Sequence, residues 1–187
     1  MSYKQLFEQW NSHSELDAVW KEDLERIATD EKRMEDAFYR DLEFGTGGMR
    51  GEIGAGTNRM NTYTIRKATT GLASYIKVAG ADAMNRGVVI AYDSRRYSPE
   101  FALEAANTLA ANGIKAYLYS EPRTTPQLSF SVRELGAFMG IVITASHNPP
   151  EYNGYKVYGA DGAQLNLEDA DAVIQHVHQA GNALQIS

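Results

Sequence analysis

From residue 87 onward the chain alternates between short apolar runs and helical segments, and this rhythm restricts its fold more tightly than any other feature. Val88-Val89-Ile90-Ala91-Tyr92 reads as a strand buried on both faces, Ile114 to Tyr119 as the next, and Phe138 to Ile143 as a third. Between the first two, Ser98-Pro99-Glu100 opens a helix, with the hydroxyl as N-cap, proline at its tolerated first position and an acid in the first turn. Leu103, Ala106, Leu109 and Ala110 are expected as its core stripe, ended by Gly113. Thr125-Pro126 caps a second helix, with Leu128, Val132 and Leu135 inward and Gly136 at its end. Crossovers of this length require parallel strands joined in the right-handed sense. Gly154 to Tyr158 reads as a further short strand, too close to the third for a helical crossover, so it returns antiparallel. Asn166 caps a last helix carrying Ala170, Val173, Ile174 and Val177, stopped by Gly181. The expectation is an α/β, three-layer sandwich with a mainly parallel four-stranded sheet plus one antiparallel strand, preceded by N-terminal helices.

Upstream, Leu16, Val19, Trp20, Leu24 and Ile27 recur at the spacing of one helix face, with Ser12 or Ser14 as the expected cap. A short helix follows Asp30, with Met34, Ala37, Phe38 and Leu42 on one side. Residues 1–43 are expected as a helical extension and 44–187 as the α/β domain. At their junction, Phe44-Gly45-Thr46-Gly47-Gly48-Met49-Arg50-Gly51 is so dense in glycine that it reads as a shaped loop rather than a regular element. Ile65, Ala68, Leu72 and Ile76 then mark a helix over 62–79.

Composition closes off several classes. With 187 residues the chain fits the usual prior of roughly 100–200 per domain. The 43% apolar and 22% charged content is that of a globular domain. The longest apolar stretch, Ala137 to Ala145, falls well short of the ~20 residues a bilayer span needs, and the polar N-terminus shows no secretory signal. Zero cysteines exclude disulfides, thiol catalysis and cysteine-ligated zinc, and fit a cytoplasmic protein. A net charge of −6 argues against nucleic acid or an anionic membrane as partner.

Ligands of open parallel sheets bind beyond the carboxyl ends of the strands. The loops expected there are Asp93-Ser94-Arg95-Arg96, Glu121-Pro122-Arg123-Thr124-Thr125 and Thr144-Ala145-Ser146-His147-Asn148-Pro149-Pro150. Arginines, a histidine and hydroxyls beside helix N-termini suit an anion, phosphate above all. Ser146, straight after an apolar strand and before a rigid Asn-Pro-Pro, is placed as an exposed, fixed nucleophile would be.

Thr144-Ala145-Ser146-His147-Asn148-Pro149 resembles the phosphoserine loop of the α-D-phosphohexomutases, the phosphoglucomutase and phosphomannomutase superfamily. The segment Phe44 to Gly51 resembles that family's N-terminal active-site loop, and Asp93-Ser94-Arg95 a third family segment. Their order and spacing match the family's first domain over residues 40 to 187. The N-terminal helices and the Gly-Thr-Gly-Gly form of the first loop look most like the phosphoglucomutase branch that also includes phosphopentomutase-type enzymes.

The resemblance implies that Ser146 is the phosphorylated serine, passing its phosphoryl group to a sugar monophosphate and recovering one from the bisphosphate, with a sugar 1,6-bisphosphate as activator. It implies that His147 and Lys156 lie against the reacting phosphate, that Arg50 helps hold the phosphoserine and substrate, and that Mg²⁺ binds the phosphate on Ser146. The family's Asp-x-Asp-x-Asp-Arg metal loop does not occur in this sequence, so the carboxylates completing that Mg²⁺ site are expected from further domains of a longer polypeptide, and the chain alone is expected to be inactive. Gly47 stands where many relatives have Ser or Ala. Phosphoserine carries about −1.5 to −2 charges and needs cationic neighbours; Arg50 can bind it in bidentate fashion and Lys156 as a point charge. Arg95, Arg96 and Arg123 stay open between phosphate contacts and surface ion pairs.

The same residues admit rival functions. Mannose or pentose phosphates remain alternative substrates, and a non-catalytic phosphosugar-binding fragment remains an alternative role. A serine hydrolase lacks its Gly-x-Ser-x-Gly elbow around Ser146. Neither a dinucleotide fingerprint nor a P-loop is present, and His176 and His178, about 200° apart around a helix, cannot share a metal.

Overall fold

The computed structural model describes residues 1–186. Its centre is a six-stranded mixed sheet in the order β1-β2-β6-β5-β3-β4. The strands are β1 (Phe44–Gly45), β2 (Gly48–Glu52), β3 (Val88–Tyr92), β4 (Ala116–Leu118), β5 (Met139–Ile143) and β6 (Tyr152–Tyr158). β3 pairs parallel with both β4 and β5, whereas β5–β6, β6–β2 and β2–β1 are antiparallel. The α/β class and the antiparallel return of β6 agree with the sequence. The sheet is larger and less parallel than expected, with its parallel part confined to β3, β4 and β5.

The difference comes from the glycine-rich stretch, which is a hairpin rather than a loop. Gly48 stands opposite Lys156, and a side chain there would overlap the Tyr155 carbonyl oxygen. Its φ of 118° is also one that L side chains rarely adopt. The glycines thus let one backbone press against another, which local composition does not distinguish from a loop.

The helices are α1 (Tyr3–Asn11), α2 (Ala18–Ile27), α3 (Glu31–Phe38), α4 (Thr62–Ala79), α5 (Ala81–Arg86), α6 (Ser98–Ala111), α7 (Thr125–Glu134) and α8 (Leu167–Gln179), followed by a 3-10 turn at Ala183–Gln185. α7 covers one face of β3 and β5, with Leu128 and Val132 packed on Val89, Ala91 and Val142. On the other face α4 and α6 bury Ile65, Leu72, Phe101 and Leu109 against Val88, Ile90, Ile141 and Tyr155. α8 crosses α4 closely, since a Cβ on Gly71 would lie 2.5 Å from Val177 Cα. Phe7, Trp10, Leu16, Trp20, Leu24 and Phe38, all from the first 43 residues, belong to this same core.

Several local expectations are corrected. α2 starts after Asp17, so neither Ser12 nor Ser14 caps it; the Ser12 hydroxyl instead donates back to the Glu8 carbonyl at the end of α1. Tyr97, at φ 62°, occupies the N-cap of α6, and Ser98 is already helical with its hydroxyl committed elsewhere. Leu103 and Leu135 face solvent, the buried side of α6 being Phe101, Ala102, Ala105 and Leu109.

Candidate active site

The rim at the carboxyl end of β3 and β5 is built on two sheet features. Residues 48, 50, 154 and 156 share one sheet face, because Arg50 stands opposite Gly154 and Gly48 opposite Lys156. Their neighbours Met49 and Tyr155 point into the main core. Lys156 therefore turns its head group away from that core, as its alternation with Tyr155 and Val157 implied. Gly154 is the second feature. A Cβ there would sit 2.6 Å from the Thr144 carbonyl oxygen, so its absence lets the start of the serine loop close down on β6. The Thr144 amide donates to the Gly154 carbonyl at 3.0 Å and continues the ladder into the loop.

Ser146 lies just beyond, exposed, with φ at 57°. Left-handed backbone costs an L residue about 1–2 kcal/mol, and such strain persists where the surroundings over-determine it. Here the Ser146 amide donates to Thr144 Oγ1 at 3.1 Å, and the Asn148 amide closes a turn onto the Ala145 carbonyl at 3.1 Å. The result is a hydroxyl at the crest of a tight turn, open to solvent. His147 is also exposed, with Nδ1 3.4 Å from Ser146 Oγ. That separation is long for a hydrogen bond, so the pair lacks the tight base–hydroxyl geometry a serine hydrolase uses.

Arg50 reaches across from β2 and donates from Nη1 to Asn148 Oδ1 at 2.7 Å, tying the hairpin to the serine loop. Lys156 is half-buried, and its ammonium is pushed below the usual lysine range first by that burial and then by the Arg50 charge. Two cations so close, with no carboxylate between them in the hydrogen-bond network, form a site that an anion would relieve. The structure thus links Arg50 to the serine loop through Asn148, sets His147 beside Ser146, and places Lys156 on the same sheet face as Arg50.

The other arginines take different places. Arg123 pairs with Glu121 at 3.2 Å and lies over the Tyr119 ring. Arg96 stacks on Tyr97. Arg95 is neither a surface ion pair nor a free phosphate ligand: its Nη2 donates to the carbonyls of Ser146 at 3.0 Å and Asn148 at 2.7 Å, and its Nη1 to those of Pro149 at 2.8 Å and Tyr152 at 3.1 Å. The sequence placed Asp93 only within a rim loop and Ser98 only as a helix cap, and gave Asn153 no role. The Asp93 carboxylate accepts from the Arg95 amide at 2.9 Å and the Ser98 hydroxyl at 2.7 Å, and Asn153 donates to Ser98 Oγ at 2.9 Å. A readable signal existed in the polar trio Asp93, Arg95 and Ser98, which directly follows an apolar strand.

A metal has no ready seat here. Among the described residues no group of three or more His, Asp or Glu side chains is placed to hold an ion, and the Asp93 carboxylate is spent on Arg95 and Ser98. The residues present therefore do not make a Mg²⁺ site on their own.

Comparison with known proteins places this fold. Residues 41–183 match the model of the phosphoglucomutase/phosphomannomutase family, alpha/beta/alpha domain I. A phosphoglucomutase from Staphylococcus haemolyticus is 48% identical over 153 residues, covering 82% of this chain and 27% of that protein. One from Staphylococcus epidermidis is 45% identical over 172 residues, covering 92% and 31%. The solved structure of a protein assigned as a phosphomannomutase, from Thermus thermophilus, superposes with a TM-score of 0.66 at 34% identity, over 74% of this chain and 30% of that one. The chain spans less than a third of the length of these relatives. On the extent of the family match and the level of identity, the chain belongs to the phosphoglucomutase/phosphomannomutase family and corresponds to its α/β/α domain I.

Proposed function

We propose that this chain is the phosphoryl-carrying first domain of a phosphohexomutase, most like a phosphoglucomutase, which interconverts a sugar 1-phosphate and a sugar 6-phosphate through phosphoserine and a sugar 1,6-bisphosphate. The observation that carries the proposal is the exposed Ser146 residue, held on a left-handed turn whose Asn148 is bonded by Arg50, with Lys156 on the same sheet face as that arginine. In the first half-reaction a sugar hydroxyl attacks the phosphorus on Ser146, the P–Oγ bond breaks, and the proton leaving the sugar oxygen ends on Ser146 Oγ; in the second, Ser146 Oγ attacks the other phosphorus of the bisphosphate, that sugar O–P bond breaks, and the serine proton passes to the freed sugar oxygen. The protein's task in such a transfer is positioning and charge balance. Arg50, released from Asn148, can grip the phosphoryl oxygens in bidentate fashion, while Lys156 offers a mobile point charge. His147, one residue from the nucleophile, is suited to hold a proton at the reacting oxygens.

Residues 44–187 are assigned to the domain proper and 1–43 to a helical extension of it. Mg²⁺, were it bound to the phosphate on Ser146 with its remaining ligands outside this chain, would help balance the charge on the transferred group. No step above depends on it. The sugar-gripping residues and those ligands are assigned to further domains of the polypeptide, so the chain in isolation is expected to be inactive. A phosphosugar is the proposed partner, and the cytoplasm the proposed location. In support, no helix of the described residues is long and apolar enough to cross a membrane.

The test is Ser146→Ala in a polypeptide that carries this chain with the family's other domains. Turnover should fall by about 10⁴-fold or more, as expected when the group-carrying nucleophile is removed. Retention of more than a few per cent of activity would remove Ser146 from the role.

A further inference from the structure

We propose that Arg95 is the positioning residue of the phosphoserine loop, a clamp that fixes the Ser146 hydroxyl in place without touching the phosphosugar. The inference rests on the proposed role of Ser146 but makes a separate claim. A guanidinium has five N–H donors in a planar fork. In Arg95 the four Nη donors are directed at the carbonyls of Ser146, Asn148, Pro149 and Tyr152. The fifth, on Nε, faces Asp93 Oδ2 at 3.5 Å. No donor is left for an incoming phosphate, and the side chain is only 16% exposed.

The geometry has two consequences. Four carbonyls within the span from Ser146 to Tyr152 are drawn toward one point, so the loop closes into a crest with Ser146 on its outer side. The crest is also tied to the rest of the fold. Asp93 at the end of β3 holds the Arg95 amide and the Ser98 hydroxyl at the start of α6, and Ser98 accepts from Asn153 at the start of β6. Asn153 is fully buried, donates also to the Arg96 carbonyl at 3.0 Å, and accepts from the Gly154 amide at 2.8 Å. Through these bonds three elements set where Arg95 sits, and Arg95 sets where Ser146 sits. A lysine keeps the charge but, with a tetrahedral ammonium, cannot meet four carbonyls in a plane.

The experiment compares Arg95→Lys, Arg95→Ala and Asp93→Asn with the parent, each in the polypeptide with the family's other domains. Readouts are the rate of Ser146 phosphorylation by glucose 1,6-bisphosphate and hydrogen exchange at the amides of Asn148 and Tyr152. Both Arg95 variants should lower the saturating rate by about tenfold or more, because small displacements of a reacting group are costly, and leave the half-saturating concentration within about twofold. Added guanidinium ion should restore part of the Arg95→Ala rate where methylammonium does not. The two amides should exchange faster in every variant. A lysine variant with the parent's rate would overturn the clamp, since charge alone would then suffice. A raised half-saturating concentration at unchanged rate would overturn it too, by placing Arg95 on the ligand. If the Arg95 variants fail to fold, Asp93→Asn decides: unchanged rate and unchanged exchange refute the linkage. If the parent itself takes no phosphoryl group, the function proposed for Ser146 fails, and the exchange data alone still decide the clamp.

Discussion

Lys156 shows how a single side chain can report on the site. Burial and the neighbouring Arg50 charge both disfavour its ammonium, so its pKa lies below the ordinary 10.5. A cation with a lowered folded pKa loses its proton first in the folded state. Stability therefore rises with pH between that lowered value and 10.5, while further below the cost of burying the charged form is fully present and does not change with pH. Phosphorylation of Ser146 adds about −1.5 to −2 charges nearby, which should raise the Lys156 pKa again. A titration followed by NMR at Nζ should show the upward move in the phosphorylated protein, and an unchanged midpoint would place Lys156 away from the phosphate. Lys156→Met should lower turnover steeply while changing stability by less than about 1 kcal/mol, since its head group leaves the core. The orientation of this lysine was readable from the alternation of Tyr155, Lys156 and Val157. The work of Arg95 was not, because hydrogen bonds to carbonyls leave no trace in residue identities.

At the scale of elements, what the sequence showed depended on how local the cause was. β3, β5 and α4 were legible because an apolar run or a helical stripe is complete within its own segment. α4 also carries its own start signal. Asn61 is fully buried, accepts from the Thr64 amide at 2.9 Å, and donates to the carbonyls of Gly54 at 2.8 Å and Gly56 at 2.9 Å. Asn61→Ala removes the cap and strands both carbonyls, so a loss of about 2–4 kcal/mol is expected in denaturant unfolding. A loss under about 0.5 kcal/mol would mean that water replaces the side chain there. The hairpin of β1 and β2 was illegible because its pairing partner, β6, lies far along the chain, beyond four helices. α1 was missed although Ser2 and Gln5 form a capping box, in which each side chain bonds the other's backbone amide. Its buried residues, Phe7 and Trp10, are too few to make a stripe. Leu103 and Leu135 went to the wrong side because alanines took the tight positions against the sheet on α6, and the end of α7 runs past the sheet into solvent.

Across the whole molecule, the helices of residues 1–43 and the α/β portion share one core. Trp10 packs edge-on against both Phe38 and Tyr63, and Trp20 donates through Nε1 to Thr62 Oγ1 at 2.9 Å. Each large apolar side chain so buried contributes about 1.5–3 kcal/mol, and a handful of them already rival the about 5–15 kcal/mol by which a typical domain is stable. Removing residues 1–43 should therefore abolish cooperative thermal unfolding of the remainder. A truncated chain melting at the parent's temperature would show the helices to be an independent appendage. The same wholeness bears on the proposed function: a rigid core fixes β2, β5 and β6 relative to one another, and so holds Arg50 against Asn148 at the rim where Ser146 is exposed. The most direct check on that rim is to incubate the multidomain polypeptide with glucose 1,6-bisphosphate and locate the acquired phosphoryl group by peptide mass spectrometry. The group should lie on Ser146 and be missing from Ser146→Ala; phosphate on any other residue, or none at all, would contradict the account.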